Sequence, residues 1–300
     1  MYDLIIIGAG PAGITASVYA ARKEMDFIVL TMDIGGQTAW SGDIENYLGY
    51  QFITGTELTS KFEEHIKKYN VEVKEAEEVI EISKNGDDVL VRTDSSEYRA
   101  RSLIVASGKQ SKPLGVPGEE EYRNKGVAYC ATCDAPLFAG KTVAVIGGGN
   151  SALEAALQLI KIAKHIYLIN ITPELGGDTI IRDKVAASDN VTIMNNSQVK
   201  EIFGSTFVEG IKIETEKKEE TLSLEGVFVE IGLKPNTAFK SDLEKNEQGE
   251  IVVNCNNETN TPGIFAAGDV TNVLEKQIII AAGEGAKATL SAFRYISKIK

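Results

Sequence analysis

Two segments of the 300-residue chain repeat one pattern, and this repeat constrains the fold more than any other feature. Residues 4 to 31 are LIIIGAGPAGITASVYAARKEMDFIVLT, and residues 143 to 170 are VAVIGGGNSALEAALQLIKIAKHIYLIN. Each segment has a β-branched apolar run, a glycine cluster, an alanine-rich stretch with helical spacing and a second apolar run. This order predicts two strand–helix–strand units, and therefore an α/β protein with two Rossmann-like, three-layer nucleotide-binding domains.

The glycine cluster of each repeat is of the kind that brings backbone close to a pyrophosphate. Its three positions are occupied by Gly8, Gly10 and Gly13 in the first copy and by Gly147, Gly149 and Ala152 in the second. The first position permits a tight turn, the second admits the pyrophosphate, and the third packs the helix on the strand. One such cluster can be an ordinary strand-to-helix turn, but two copies in the same context predict two bound dinucleotides.

The ribose-binding position departs from the usual pattern in both copies. An acidic residue about 20 positions after the first glycine normally binds a ribose hydroxyl. Thr31 and Asn170 stand at these places. Both side chains can still form hydrogen bonds with a hydroxyl.

The rest of the chain is organised around the two repeats. Pro and Gly in GVPGE (115–119) and GLKPN (232–236) favour crossings between domains at these segments. The sequence therefore predicts that a second domain, residues 115–239, is inserted into a first domain built from residues 1–114 and 240–300. Helices are predicted over 56–69, 178–188 and 277–297.

Composition excludes several classes of function. With 31 basic and 43 acidic residues, the formal net charge of −12 argues against nucleic acid as the main partner. No apolar run approaches the roughly 18 residues of a membrane span, and no signal peptide is visible. Three cysteines make no secreted disulfide framework, so a reducing cytoplasm is the expected setting.

Cys130 and Cys133 stand two residues apart in YCATCDAP, directly before Asp134. A zinc site would need about four ligands, and the chain has no second C-x-x-C. A structural staple would close a very small loop and would be reduced in the cytoplasm. A redox couple fits best, with Asp134 placed to exchange the proton that thiol chemistry requires. Cys255 is expected to be a small, half-buried residue.

The chain resembles the low-molecular-weight thioredoxin reductases over essentially its whole length. The resemblance is carried by GAGPAG, GGQ (35–37), IENY (44–47), CATCD followed by VAVIGGGNSA, and AAGDV (266–270). The tail KQIIIAAGEGAKATLSAF (276–293) is similar to the flavoprotein subunit of alkyl hydroperoxide reductase. Because the sequence starts at the first glycine repeat, we expect it to lack the N-terminal thioredoxin-like extension of that subunit.

The resemblance implies a site and a direction of electron flow. Electrons would pass from FAD to Cys133, Cys130 would attack the disulfide of a thioredoxin or a thioredoxin/glutaredoxin-like protein, and Asp134 would supply a proton. The family is usually a homodimer whose small domain rotates on two hinge strands. FAD would be bound by Gly8, Gly10, Ala12, Gly13, Gln37, Asn46, Gly268, Asp269, Gln277 and Ile278. A nicotinamide nucleotide would be bound by Gly147, Gly149, Asn150, Ser151 and Asn170.

The family pattern breaks at the nicotinamide site. Members that use NADPH carry an HRRxxxR stretch after the second repeat, whereas this chain has NITPELG (170–176). Without a cation there, and with Glu174 nearby, NADPH is disfavoured and NADH is the expected donor. Three alternatives stay open: reduced ferredoxin as the donor to a degenerate site, an NADH oxidase or peroxide-reductase flavoprotein component, and a non-enzymatic FAD-bound scaffold.

Overall fold

The computed structural model describes residues 1–216 and 218–299, which fold into two compact units. The first unit contains Met1–Gln110 and the chain from Lys234 onward, and the second contains Ser111–Leu233. The second unit is thus inserted into the first. The chain crosses between them at 110/111 and 233/234, near the crossings predicted at 114/115 and 239/240.

The N-terminal part of the chain alternates strands and helices and then enters a β-meander. Its strands are β1 (Tyr2–Ala9), β2 (Phe27–Ile34), β3 (Asp43–Ile44), β4 (Ile53–Thr54), β5 (Val73–Lys74), β6 (Val79–Asn85), β7 (Asp88–Thr93), β8 (Glu97–Val105) and β9 (Lys109–Ser111). Its helices are α1 (Pro11–Arg22), α2 (Gln37–Trp40) and α3 (Gly55–Lys68). The strand–helix–strand unit predicted over 4–31 is confirmed as β1, α1 and β2.

The inserted part repeats this arrangement. Its strands are β10 (Val127–Ala128), β11 (Thr142–Ile146), β12 (His165–Ile169), β13 (Val191–Met194), β14 (Ser197–Gly204), β15 (Val208–Thr215), β16 (Glu219–Ser223) and β17 (Gly226–Val229). Its helices are α4 (Ala131–Asp134), a short 3-10 helix (Ala135–Phe138), α5 (Asn150–Leu159) and α6 (Thr179–Ala186). The unit predicted over 143–170 is confirmed as β11, α5 and β12.

The C-terminal part completes the first unit. It contains β18 (Leu233–Pro235), β19 (Ile264–Ala266), a short 3-10 helix (Gly268–Val270) and α7 (Ile278–Ile296). The strands at the two crossings, β9 and β18, pair with each other. The GLKPN segment predicted at one crossing contains β18, and GVPGE follows β9.

The first unit has three layers around a parallel sheet in the order β5-β2-β1-β8, with β19 also paired to β8. Helices α1 and α7 pack on one face, and strands β6 and β7, which continue the sheet antiparallel to β8, share a core with the other. The close approach of the two helices requires glycine at position 285, because a Cβ there would lie 2.0 Å from the carbonyl oxygen of Ala12. This approach positions the start of α1 beside the C-terminal segment.

The second unit is built on a parallel sheet in the order β10-β17-β11-β12-β13. Helices α5 and α6 cover one face, where Leu153 and Phe228 are fully buried. The antiparallel strands β14-β15-β16 cover the other face through Ile202, Ile211 and Ile213. Because all five strands of the sheet run in one direction, their carboxyl ends meet at a single edge.

The long helices follow local signals in the sequence. The helices predicted over 56–69, 178–188 and 277–297 are confirmed as α3, α6 and α7. A capping box starts α3. Thr54 Oγ1 accepts a hydrogen bond from the Glu57 N–H at 3.2 Å, and the Glu57 carboxylate accepts one from the Thr54 N–H at 3.0 Å. None of the described helices is both long and apolar enough to cross a bilayer.

The expectation for Cys255 is wrong, because its side chain is exposed. It lies in a turn that Asn254 closes by accepting a hydrogen bond from the Asn256 N–H at 2.9 Å. A side-chain-closed turn of this kind projects its central residues into solvent.

Candidate active site

The carboxyl edge of the second-unit sheet gathers the chemically interesting residues of that unit. Cys130 follows β10 after one residue, and Glu230 follows β17 directly. The second glycine turn follows β11, and Asn170 follows β12. Ligands of open α/β sheets bind in the crevice outside this edge.

Cys130 and Cys133 form a disulfide with their Cα atoms 5.4 Å apart. Cys130 is the N-cap of α4, and its sulfur accepts a hydrogen bond from the Cys133 N–H at 3.2 Å. In the reduced pair this donor would favour a thiolate on Cys130. Asp134 lies in the same turn, where its N–H donates to the Cys130 carbonyl oxygen at 3.0 Å. The structure therefore brings the three predicted redox residues together.

Glu230 is a further acidic residue at this disulfide, and the sequence analysis missed it. Its carboxylate accepts from the N–H of Ala131, the residue after Cys130, at 3.3 Å. Burial raises the pKa of Glu230 to about 7, and the charges of Glu154 and Asp134 add to the rise. A glutamate directly after the buried run GVFV is the signal that could have revealed it.

The second glycine turn is shaped for an anion. Gly147 has φ of 140°, and a Cβ there would lie 2.3 Å from the Glu230 carbonyl oxygen. At Gly149 a Cβ would meet no atom within 4 Å, so the space before the start of α5 is open. Asn150 and Ser151 are exposed at this helix N-terminus. Such an N-terminus can take a pyrophosphate.

Asn170 is buried, and its amide is fully used by its own loop. Its Oδ1 accepts from the N–H and the hydroxyl of Thr172, at 3.3 and 2.9 Å. Its Nδ2 donates to the Thr172 carbonyl and to Asn195 Oδ1, at 3.1 and 3.0 Å. A ribose hydroxyl that bonded to Asn170 would therefore have to replace one of these bonds.

The loop after β12 is short of positive charge. Residues 171–174 are exposed and include Glu174. Arg182 of α6 approaches the loop and donates to the Leu175 carbonyl oxygen at 3.3 Å. The sequence analysis did not consider this guanidinium. The only sequence signal for it is a basic residue in α6, the helix that follows the loop.

The first glycine turn, in the other unit, forms a second cradle. A Cβ at Gly8 would lie 2.4 Å from the Ala106 carbonyl oxygen, and one at Gly13 would lie 1.8 Å from that of Gly8. Gly10 is the N-cap of α1 and provides no side-chain cap. The first N–H groups of this helix are therefore available to a phosphate.

Two of the other predicted FAD-binding segments, those of Gln37 and Gly268, lie at this turn. Gly36, before Gln37, approaches Gly10, with a Cβ there 3.3 Å from the Gly10 Cα. A Cβ at Gly268 would lie 3.0 Å from the Cβ of Ala12, so the 3-10 helix Gly268–Val270 lies against α1. Further along, Asn46 donates to Gln277 Oε1 at 3.1 Å, and Ile278 packs on the cluster around Ile44.

Asp269 provides the sharpest test of whether a cofactor fits. It is half-buried, and burial raises the pKa of its carboxyl group, with Lys276 and Lys109 opposing the rise. No donor among residues 1–216 and 218–299 forms a hydrogen bond to this carboxylate. A half-buried acceptor without a donor fits a ligand hydroxyl, such as those of the ribityl chain of FAD.

A charged cluster lies behind Asp269. Buried Glu250 pairs with Lys109 and with Lys276, the latter at 3.2 Å. Burial opposes ionisation of Glu250, but hydrogen bonds from Lys109, Asn246 and Lys276 outweigh it and lower its pKa. In the described part of the chain, no cluster of three His, Cys, Asp or Glu side chains could hold a metal ion.

Two parallel sheets, each with a glycine turn open to a helix N-terminus, and a disulfide at one sheet edge define a dinucleotide-binding α/β oxidoreductase. The chain matches the family described as pyridine nucleotide-disulphide oxidoreductase over residues 2–285, and it belongs to that family.

Similar proteins agree with this assignment. Thioredoxin reductase from Streptococcus pyogenes is 39% identical, with 99% of each chain covered and a TM-score of 0.95. An alkyl hydroperoxide reductase subunit of Staphylococcus aureus is 43% identical over 299 residues, which cover 98% of this chain and 59% of the relative. A protein named NADH dehydrogenase in Ferdinandcohnia aciditolerans is 42% identical over 298 residues, 98% of this chain and 57% of the relative.

The chain thus spans less than two thirds of the length of these two curated relatives. Its fold is the two-Rossmann-domain, FAD-binding fold of thioredoxin reductases, which confirms the predicted fold class and family resemblance. The chain accordingly has the fold of a flavoprotein oxidoreductase.

Proposed function

We propose that this protein is a dithiol–disulfide oxidoreductase of the thioredoxin reductase type. It would move electrons through FAD and the Cys130–Cys133 pair to the disulfide of a thioredoxin or a thioredoxin/glutaredoxin-like protein. The observation that carries the proposal is the disulfide at the sheet edge, with Cys130 Sγ accepting the Cys133 N–H and Asp134 in the same turn.

The first unit would hold the cofactor. The pyrophosphate would lie against the N–H groups at the start of α1, and Asp269 would accept a ribityl hydroxyl. When bound, FAD accepts electrons as a pair and supplies both to a disulfide. The Glu250–Lys109–Lys276 cluster would hold the Asp269 segment in place.

Thiol exchange would then follow from the residues of the second unit. Asp134 takes the proton of the reduced Cys130 thiol, and the resulting thiolate attacks one sulfur of the partner's disulfide. A mixed disulfide forms, and the departing partner thiolate takes that proton back from Asp134. Cys133 next attacks Cys130 Sγ, releases the second partner sulfur and restores the Cys130–Cys133 disulfide. Two electrons pass to the partner in each cycle, and the restored disulfide has to receive two electrons before the next one.

NADH is the proposed donor to this cycle. The open N-terminus of α5 supports a nicotinamide nucleotide, with Gly147, Gly149, Asn150 and Ser151 around the pyrophosphate. The 170–176 loop, which has Glu174 and no lysine or arginine, would repel the 2′-phosphate of NADPH.

The donor can be tested by anaerobic mixing of the FAD-loaded protein with NADH, NADPH or chemically reduced ferredoxin. Bleaching of the flavin absorbance reports electron entry, and free thiols on added thioredoxin report electron exit. We expect rapid bleaching with NADH and thiol release only when both Cys130 and Cys133 are present. A protein whose Cys130–Cys133 disulfide stays oxidised with all three donors would contradict the proposal.

A ferredoxin-dependent reductase is the second candidate, and the saturated amide of Asn170 favours it. A nicotinamide nucleotide bound at the α5 turn would lack the ribose partner that this position normally supplies. Bleaching by ferredoxin without bleaching by either nucleotide would select this candidate.

The names of the two curated relatives favour a third candidate, an NADH oxidase or peroxide-reductase flavoprotein component. Such an activity could pass electrons onward without the thiol pair. Replacing both Cys130 and Cys133 by serine separates the candidates, because oxygen consumption with NADH would survive while thioredoxin reduction would stop.

A further inference from the structure

We propose that Glu230 is a positioning residue that controls the ionisation of the reduced Cys130–Cys133 pair, so that the reactivity of the pair is gated by one carboxyl proton. The proposal rests on the proposed dithiol function and adds to it a regulator at the same site. Nothing in the sequence pattern of the cysteines themselves points to this residue.

Geometry places the carboxyl group of Glu230 next to the thiol pair. Its Oε1 accepts from the Ala131 N–H at 3.3 Å, and Ala131 directly follows Cys130. The backbone of Glu230 is fixed as well, since its N–H donates to the Ile146 carbonyl oxygen at 2.8 Å. The side chain therefore reaches α4 from the end of a rigid, buried strand.

The charged groups that act on Glu230 from neighbouring elements are Asp134 on α4 and Glu154 on α5, and both are acidic. Burial is the largest cause of its raised pKa of about 7, and these two carboxylates add to the rise. Glu230 therefore changes charge near neutral pH.

A purely structural role explains this arrangement poorly. A neutral glutamine could accept the same hydrogen bond from the Ala131 N–H without burying a charge beside two carboxylates. A largely buried titrating group beside a reactive pair is the pattern of a functional residue.

The consequence is electrostatic coupling between two acids. Ionisation of the thiol releases its proton and leaves a negative sulfur, and ionised Glu230 opposes that charge. Protonated Glu230 does not oppose it. The two groups titrate as a coupled pair, so the thiolate fraction rises less steeply with pH than it would for an isolated thiol.

The test uses the full-length, FAD-loaded protein with Cys255 replaced by serine, reduced with excess dithiothreitol and desalted anaerobically. The rate of iodoacetamide alkylation of the pair is measured by peptide mass spectrometry from pH 5.5 to 8.5. The variants are Glu230→Gln and Glu230→Asp. Glu225→Gln is the matched control, because Glu225 flanks the other end of β17 and also accepts a backbone N–H, that of Thr142 at 3.2 Å.

We expect Glu230→Gln to match the parent at pH 5.5 and to react about three- to tenfold faster near pH 8. Glu230→Asp keeps a carboxyl group, so its alkylation rate should also fall below that of Glu230→Gln as the pH rises. The alkylation rate of Glu225→Gln should equal that of the parent at every pH. A rate ratio between Glu230→Gln and the parent that is the same at every pH would overturn the proposal. So would an equal effect of Glu225→Gln.

The readout separates this proposal from the proposed function. Dithiothreitol reduces the pair without any donor, and alkylation needs no protein partner. If the pair reduces and alkylates with a flat rate ratio, Glu230 has no regulatory role, yet the reductase function stands. If the pair gives the expected rates but never passes electrons to thioredoxin, the reductase function fails while the coupling holds.

Discussion

At the scale of single residues, the raised pKa of Glu230 makes the stability of the protein depend on pH. The pKa is about 7 in the folded protein and about 4.3 in an unfolded chain, so the folded state binds the proton more tightly. Proton binding by Glu230 makes its full contribution to the free energy of unfolding below about pH 4, and this contribution is lost as the pH rises through 7.

Glu230→Gln should therefore be more stable than the parent at high pH. We expect a gain of up to about 3 kcal/mol in the free energy of unfolding at pH 8, shrinking towards zero at pH 4.5. Urea unfolding of the oxidised protein at both pH values, followed by circular dichroism, measures it. An equal gain at both pH values would show that packing, and not charge, is responsible.

Asp269 yields a prediction about cofactor affinity. If its carboxylate accepts a ribityl hydroxyl, Asp269→Ala should weaken FAD binding by about 2 kcal/mol, the scale of a hydrogen bond to a charged group. Asp269→Asn, which keeps an acceptor oxygen, should lose less. The ratio of flavin to protein absorbance after purification and fluorescence titration of the apoprotein give the affinity.

The control for this series is Asp242→Asn, an exposed carboxylate in the same unit. It should leave the flavin content unchanged. FAD affinity unaffected by Asp269→Ala would remove Asp269 from the cofactor site.

Single residues also mark the limit of what the sequence could predict. Gly8 and Gly147 were predictable because a tight turn constrains each one locally, within a single strand–helix unit. For Glu230 the buried run GVFV marks the position, but its contact with Ala131, 99 positions earlier in the chain, has no local signal. The pairing of Lys109 with Glu250 joins residues 141 positions apart and has no local signal.

At the scale of elements, α6 has one strong boundary signal. Asp178 caps it by accepting from the N–H groups of Ile180 and Ile181, at 2.8 and 3.1 Å. Its own N–H donates to Asn150 Oδ1 at 2.7 Å, which ties α6 to the start of α5.

Asp178→Ala should cost about 1 kcal/mol of stability through loss of the cap. Asp178→Ser should recover most of that loss, since serine is also a good N-cap. The stabilities of the parent and of the two variants are compared by their denaturant midpoints, measured on the oxidised protein. A full loss in the serine variant would indicate that the charge of Asp178, and not its capping oxygen, stabilises the helix.

Elements with a clear period or cap were predicted well, and the site elements less so. Helices α3, α6 and α7 have the spacing or the caps that define a helix. In contrast, α4 has only four residues, and what organises it is the Cys130 sulfur and the Glu230 carboxylate. Tertiary partners of this kind leave no periodic pattern in the sequence.

At the scale of the whole molecule, the repeat was the most informative signal. Each copy became the centre of one unit, and each unit has its own open helix N-terminus. The predicted insertion rested on the Pro- and Gly-containing segments 115–119 and 232–236. Since the glycine turn at Gly147 and that at Gly8 lie in different units, the proposed nicotinamide site can be changed without touching the residues of the proposed FAD site.

That separation supports a test of donor preference. Ile171 is 68% exposed, and Glu174 is also exposed, so arginine at both positions should fit the loop without disturbing its core. Two guanidinium groups would offer the 2′-phosphate of NADPH the bidentate contacts that the parent loop lacks. We expect the ratio of KM for NADPH to KM for NADH to fall about tenfold or more, corresponding to about 1.4 kcal/mol.

Glu174→Gln is the control, because it removes the repulsion without adding a cation, and it should produce a smaller fall. Steady-state reduction of an artificial electron acceptor gives both KM values, and the flavin content should stay constant across the variants. If the arginine pair leaves the ratio unchanged, the 2′-phosphate does not reach this loop. Donor preference would then have to be set by residues outside the 170–176 loop.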